Sequence, residues 1–184
     1  NISRFQKSTV EKVFAAAASY NYKTPRSSKE KKKILILCPF LINPYYAFLV
    51  QSIEQKAFEN DCITTVFTTY WRPEREKEAC SLIQQNLYDG VIFTMIPMQP
   101  DYALAMSRQV PTVVVGDRKY DSGLDAVDVD NVYAGKLVAD HLIALGHKHI
   151  AYVSTEMTGY HSARLLRYEG LKTEYENSCP DGSV

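Results

Sequence analysis

The sequence predicts an α/β fold with a doubly wound parallel sheet, and three observations predict it. Short, uniformly apolar runs such as "ILILC", "GVIFTMI" and "PTVVVGD" recur along the chain. Strands apolar on both faces belong in a parallel sheet covered by helices above and below. Between the runs lie stretches whose apolar residues fall at helical spacing. Finally, the 184 residues are 46% apolar, enough to bury a substantial core.

The elements follow in order. Ser8 or Thr9 is a fit N-cap for a helix with Val10, Val13, Phe14, Ala17 and Tyr20 on one face. Asn21 ends it and Pro25 prevents its resumption. The basic stretch "RSSKEKKK" follows and cannot supply a core for that apolar stripe, so companion helices are expected upstream of Asn1. "ILILC" then opens the alternation. A helix with Tyr46, Leu49, Val50, Ile53 and Ala57 inward precedes "CITTVFTT", and one with Ala79, Leu82, Ile83 and Leu87 inward precedes "GVIFTMI". A short helix around Tyr102 to Arg108 leads to "PTVVVGD". An acid-rich strand ends at Asp130, and a helix from near Val132 is expected to bury Ala134, Leu137, Val138, Leu142 and Leu145. Gly146 is placed to end it. "HIAYVST" reads as one more strand and "SARLLRYEGLKTEYE" as its helix, the start of a second layer.

Composition narrows the function. No run approaches the roughly 20 apolar residues of a membrane span, and the N-terminus lacks the order of a signal peptide, so a soluble intracellular protein is expected. Cys38, Cys62, Cys80 and Cys179 match neither a zinc spacing nor a close redox pair and read as buried or idle thiols. The net charge of zero conceals an asymmetry. The first 33 residues hold nine lysines or arginines against Glu11 and Glu30, and the rest carry the compensating excess of acid. Such an arm suits a polyanion, although a solvated linker would have the same composition.

In open α/β sheets, ligands sit beyond the carboxyl ends of the strands. Those ends present Asn43 and Pro44 turning into a helix with Tyr45 and Tyr46 in its first turn, then Thr68, Thr69 and Thr94. Asp117 with Arg118 and Asp130 with Asn131 complete them. Hydroxyls, aromatic faces and carboxylates with almost no lysine suit a neutral, hydroxyl-rich molecule. Asp130 serves equally as the N-cap of the helix that follows. Arg167 either pairs with Glu169 or Glu174 at the surface or offers its fork of donors to an oxygen-rich ligand. Catalytic readings find little support. The eight glycines form no phosphate loop, and His141, His147, His149 and His161 lack a metal spacing. His161 beside Ser162 is not, by adjacency, a nucleophile and base pair. No reaction, metal or cofactor is expected.

These residues together resemble the LacI/GalR (lactose-repressor) family of bacterial transcription regulators. "STVEKVFAAAASYNYKTP" looks like the third helix of the family's helix-turn-helix headpiece, and "INPYYAFLVQSIEQKA" is similar to its Asn-Pro-aromatic-aromatic helix start. "PEREKEACSLIQQNLYDGVIF", "VPTVVVGDR", "VDVDNVYAGKLVADHLIALGHKHIAYV" and "SARLLRYEGL" match successive segments of its periplasmic-binding-protein-like core. The resemblance implies a headpiece remnant over residues 1–25, a basic linker over 26–33, a first effector-binding lobe over 34–146 and the start of a second over 147–184. Tyr45, Tyr46, Asp117 and Asp130 would then line an effector cleft from the first lobe, with Arg167 reaching in from the second. It also implies a cytoplasmic homodimer that binds operator DNA and responds to a sugar or related metabolite. The rival reading is a solute-binding or sensor protein of the same fold with no DNA role.

Two departures from the family pattern stand out. The recognition helix would lie before Asn1. The family's hinge helix, with an Ala-x-x-Leu element in the minor groove, has no counterpart, because only eight residues separate Pro25 from "ILILC". In its place, Lys29, Lys31 and Lys32 would give a salt-sensitive attraction to phosphates.

Overall fold

The computed structural model describes residues 6–19, 31–85, 87–116, 123–154 and 162–184. The chain divides into two compact units, Asn1–Lys31 and Lys32–Val184. In the first, helix α1 (Lys7–Ser19) forms where the apolar spacing predicts it, and Val13 of its stripe is exposed. Lys29 and Asp117 lie outside the described residues.

The second unit is a five-stranded sheet, wholly parallel, in the order β2-β1-β3-β4-β5. Its strands are β1 (Lys32–Cys38), β2 (Cys62–Thr68), β3 (Gly90–Phe93), β4 (Thr112–Val115) and β5 (Asp125–Val127). Helices α2 (Pro44–Glu59), α3 (Pro73–Gln84) and α4 (Pro100–Ser107) make the crossovers. Each begins with proline, whose missing N–H is no loss in a first turn.

Strand β1 shows why the sheet is covered on both sides. Leu35 and Leu37 pack with Ala79 and Ile83 of α3 and Ala103 and Met106 of α4. Ile36 and Cys38, pointing the other way by the period-2 alternation, pack with Val50 and Ile53 of α2. Because β2 and β3 flank β1 on opposite sides, successive crossovers depart in opposite directions and leave a crevice at the carboxyl ends of β1 and β3. Lys32, by contrast, begins β1 at the other end of the sheet. The cysteines are unpaired, and burial, with Glu76 nearby, pushes the Cys80 thiol up to about 11.

Beyond β5 the packing departs from expectation. Helix α5 (Asn131–Ala144) forms, but Leu137, Val138 and Leu145 are exposed, and it buries Asn131, Gly135 and Ala139 instead. The physical reason is its partner. Helix α6 (Ser162–Ser178) lies backbone to backbone on α5, with Gly135 against the Arg167 carbonyl and Gly170 against that of Val132. Ala139, Leu171 and Tyr175 form their own core, and the Tyr175 hydroxyl donates to the His147 carbonyl. "HIAYVST" forms no named strand among its described residues. A strand needs a ladder, and His149 makes only an isolated parallel bridge to Ser183.

Gly146 ends α5 as expected. At φ +80° its N–H donates to Ile143 O at 2.8 Å while the His147 N–H reaches Leu142 O at 3.1 Å, the paired bonds of a Schellman motif. Nothing lies within 4 Å of where a Cβ would stand. Gly146→Ala is therefore expected to cost about 1–2 kcal/mol from left-handed backbone alone, readable as an earlier urea midpoint with unchanged slope.

Candidate functional site

At the carboxyl ends of the strands lies a cavity of about 320 Å³, the low end of the roughly 300–1,000 Å³ range of small-molecule sites. The loop after β1 brings Asn43, Tyr45 and Tyr46 to it. Asn43 caps α2 by accepting the Tyr45 N–H at 3.0 Å, so a single polar contact fixes where both tyrosines start. Their rings meet edge to face at 5.1 Å between centroids, and Phe40 supports Tyr46 from 5.9 Å. Burial and the neighbouring Tyr45 push the Tyr46 hydroxyl's pKa up against the opposing charge of Arg164, so it is a protonated donor at neutral pH.

The other strand ends complete the near wall. β2 is followed by Trp71, and β3 by Thr94, Met95 and Ile96. Thr94 is buried, with its hydroxyl donated to Leu37 O at 3.0 Å, so it serves the frame of the site. β4 is followed by Gly116, whose φ of +83° is the left-handed backbone that favours glycine and whose Cα side faces the Tyr45 hydroxyl. After β5 come Asp128, Val129 and Asn131. From the first two turns of α6, Ala163, Arg164 and Arg167 also line the cavity. Arg167 is exposed, and its Nε donates to Ala163 O at 3.1 Å, a contact that steers the guanidinium while its two Nη groups extend beyond it.

Of the residues expected at an effector site, the structure places Tyr45, Tyr46 and Arg167 on one cavity. Asp117 lies outside the described residues. Asp130 is not on the cavity wall: its Oδ1 accepts the Tyr133 N–H at 2.8 Å and caps α5, the alternative its position allowed. Asp128 lines the cavity in its stead, its Oδ1 accepting the Val129 N–H at 2.7 Å and approached by the Asn131 amide at 3.4 Å. Trp71, Arg164 and Asp128 escaped the sequence reading. The available signals were a tryptophan three residues past the end of a strand and an arginine one turn before Arg167. Among the described residues, no three metal-ligating side chains gather, and no helix is long and apolar enough to cross a membrane.

A family profile described as periplasmic binding proteins and sugar binding domain of LacI family matches residues 31–173. The HTH-type transcriptional regulator DegA of Bacillus subtilis (strain 168) is 29% identical over 163 residues, covering 83% of this chain and 48% of that protein. The chain thus spans about half the length of the curated relatives it matches. Among solved structures, a periplasmic binding protein/LacI transcriptional regulator from Alkaliphilus metalliredigens QYMF, complexed with D-xylulofuranose, superposes with a TM-score of 0.65 at 21% identity. It covers 84% of this chain and 55% of that one. A LacI family transcriptional regulator from Lactobacillus casei with bound glucose superposes with a TM-score of 0.64 at 21% identity, covering 78% and 55%. At these identities the likeness of the structures is one of fold.

Proposed function

Because the chain belongs to the family of periplasmic binding proteins and LacI-type sugar-binding domains, we propose that its Lys32–Val184 unit is the effector-binding part of a transcriptional repressor. The observation that carries this reading is the cavity itself. It unites the strand ends of the sheet with α6, which belongs to a separate helical core. A ligand gripping both would change how the sheet and the α5–α6 pair are disposed. Coupling follows if the ligand binds the two dispositions unequally.

On this reading the boundary between lobes falls at Asp128–Asp130, ahead of α5, because α5 shares its core with α6. The sequence alone put that boundary at Gly146. Tyr45, Tyr46 and Arg167 contact the effector, joined by Asp128 and by Asp117, while Asp130 holds the start of α5. The effector is a sugar or a related hydroxyl-rich metabolite, in keeping with the sugars bound by the two structural relatives. The protein acts in the cytoplasm as a homodimer on operator DNA, through a headpiece to which α1 belongs, and catalyses no reaction. Lys29, Lys31 and Lys32 add phosphate contacts.

Two measurements test this. A panel of sugars should include one that raises the thermal midpoint, since a ligand at a hundred times its Kd adds about 2.7 kcal/mol. Duplex DNA should bind in low salt and be released as salt rises, with the effector altering its affinity. A protein that ignores DNA at the lowest salt is no repressor. Arg167→Ala is expected to raise the effector Kd by about tenfold to a hundredfold, charged hydrogen bonds being worth roughly 1.5–3 kcal/mol. The ligand-free midpoint should stay put, Arg167 being exposed. An unchanged Kd would return it to the ordinary surface.

A further inference from the structure

The turn from β2 to α3 carries the only tryptophan of the chain on backbone that side-chain-bearing residues rarely adopt. Tyr70 and Trp71 have φ of 55° and 54°. Left-handed non-glycine residues persist only where their surroundings hold them, and they gather at ligand sites. The hold is visible here. Buried Thr69 donates its N–H to Cys38 O at 2.8 Å, the Tyr70 N–H reaches Pro39 O at 2.8 Å, and the Arg72 N–H turns back to Thr69 O at 3.0 Å. The turn is thereby fastened to the end of β1, and the conformation it imposes places Trp71 on the cavity wall with Tyr45 and Tyr46.

We propose that Trp71 is a specificity-determining residue of the effector site, and that it selects a sugar in its closed-ring form. The inference deepens the effector reading above and rests on it. A saturated sugar ring has an apolar C–H face as well as a hydroxyl rim. An indole covers that face while leaving the hydroxyls to Asn43, Asp128, Arg164 and Arg167, whose polar groups share the cavity. An open-chain polyol has the same hydroxyls and no such face. Covering a flat face also requires a rigid wall, which the three backbone hydrogen bonds of the turn supply.

Trp71 reports on its own role in the 184-residue chain, whose tryptophan emission comes from it alone. The whole chain is titrated with methyl glucoside and methyl riboside, both locked in the ring, with glucitol and ribitol as open-chain counterparts, and with adenosine. The thermal midpoint and the emission are followed together. At least one glycoside is expected to raise the midpoint and shift Trp71 emission with the same saturation curve, its alditol needing at least tenfold more. Trp71→Ala should weaken glycoside binding at least tenfold and abolish the ring preference, and Trp71→Phe should retain most of both. A glycoside that raises the midpoint without touching the emission overturns the proposal and leaves the effector reading standing. So does an alditol that binds as well as its glycoside, or adenosine outcompeting both sugars. If no compound raises the wild-type midpoint, the sugar-effector reading fails and this proposal with it. The emission arm uses wild-type protein, so it decides the matter even if Trp71→Ala does not fold.

Discussion

Gly170→Ala is expected to destabilise the protein by about 3 kcal/mol, the upper part of the range for overpacked sites, and to lower its thermal midpoint by roughly 6–12 °C. The sign is the informative part. In an ordinary helix interior the same change stabilises by about 1 kcal/mol, since alanine is the better helix former. Here a Cβ on Gly170 would overlap the Val132 carbonyl oxygen and lie 2.8 Å from its carbon. A Cβ on Gly135 would overlap the Arg167 carbonyl oxygen and lie 2.7 Å from the Leu171 nitrogen. These obstacles are backbone, so no rotamer change relieves them, and the helices must separate. Separation strips Ala139, Leu171 and Tyr175 of their contacts. Gly135→Ala should act alike, and the double variant should lose clearly less than the two single losses together, because the first alanine already opens the interface the second would meet. Both should also weaken effector binding, since α6 carries Arg164 and Arg167. Denaturant titrations of the four proteins provide the cycle. Strict additivity, or stabilisation by either alanine, would mean that α5 and α6 do not approach this closely.

That interface also marks where the sequence was hard to read. The sheet was legible because its signal is large: β1 is apolar at five consecutive positions, Ile34 to Cys38, the last four of them buried on alternating faces, a pattern that a sheet covered on both sides between amphipathic helices satisfies. For α5 the hydrophobic pattern pointed to the wrong face. Leu137, Val138 and Leu145 carry more apolar surface than Gly135 and Ala139, so periodicity favours them. Yet two helices approach most closely where side chains are smallest, and a glycine contributes nothing to an apolar stripe. The candidate site shows a similar division. Tyr45 and Tyr46 were legible because the Asn-Pro turn and the end of β1 place them. Trp71 was not, since nothing in "TTYWRP" announces a left-handed pair without glycine. Asp128 and Asp130 are the same residue type two positions apart. Which of them caps the helix, and so which one reaches the cavity, depends on where α5 begins, a two-residue matter that composition does not encode.

Glu76→Ala is expected to cost about 3 kcal/mol, and the loss should vary with pH in a direction opposite to that of an ordinary stabilising carboxylate. Glu76 sits in α3 at 1% exposure, its Oε1 accepting the Met98 N–H and its Oε2 the Gln99 N–H, each at 3.0 Å. Those donors belong to the segment that continues from Met95 and Ile96 on the cavity wall, so the carboxyl group braces that rim from beneath. Alanine strands both N–H groups, at about 1–3 kcal/mol apiece when buried. Burial raises the carboxyl pKa from its ordinary 4.5, outweighing the two hydrogen bonds that favour the charged form. The folded protein therefore holds a proton on Glu76 that the unfolded chain has released, throughout the interval above pH 4.5 and up to the raised value. The contribution of Glu76 is complete below pH 4.5 and declines as pH rises through that interval, where the fold must ionise a buried group. Urea titrations of wild type and Glu76→Ala from pH 4.5 to 7.5 should show the gap between them narrowing as pH increases. Glu76→Gln, which keeps the volume but turns an amide N–H toward one of the two donors, should lose less than alanine and be equally free of this pH component. A gap that stays constant or widens with pH would show that the carboxylate is held charged, and that its hydrogen bonds to the rim dominate over its burial.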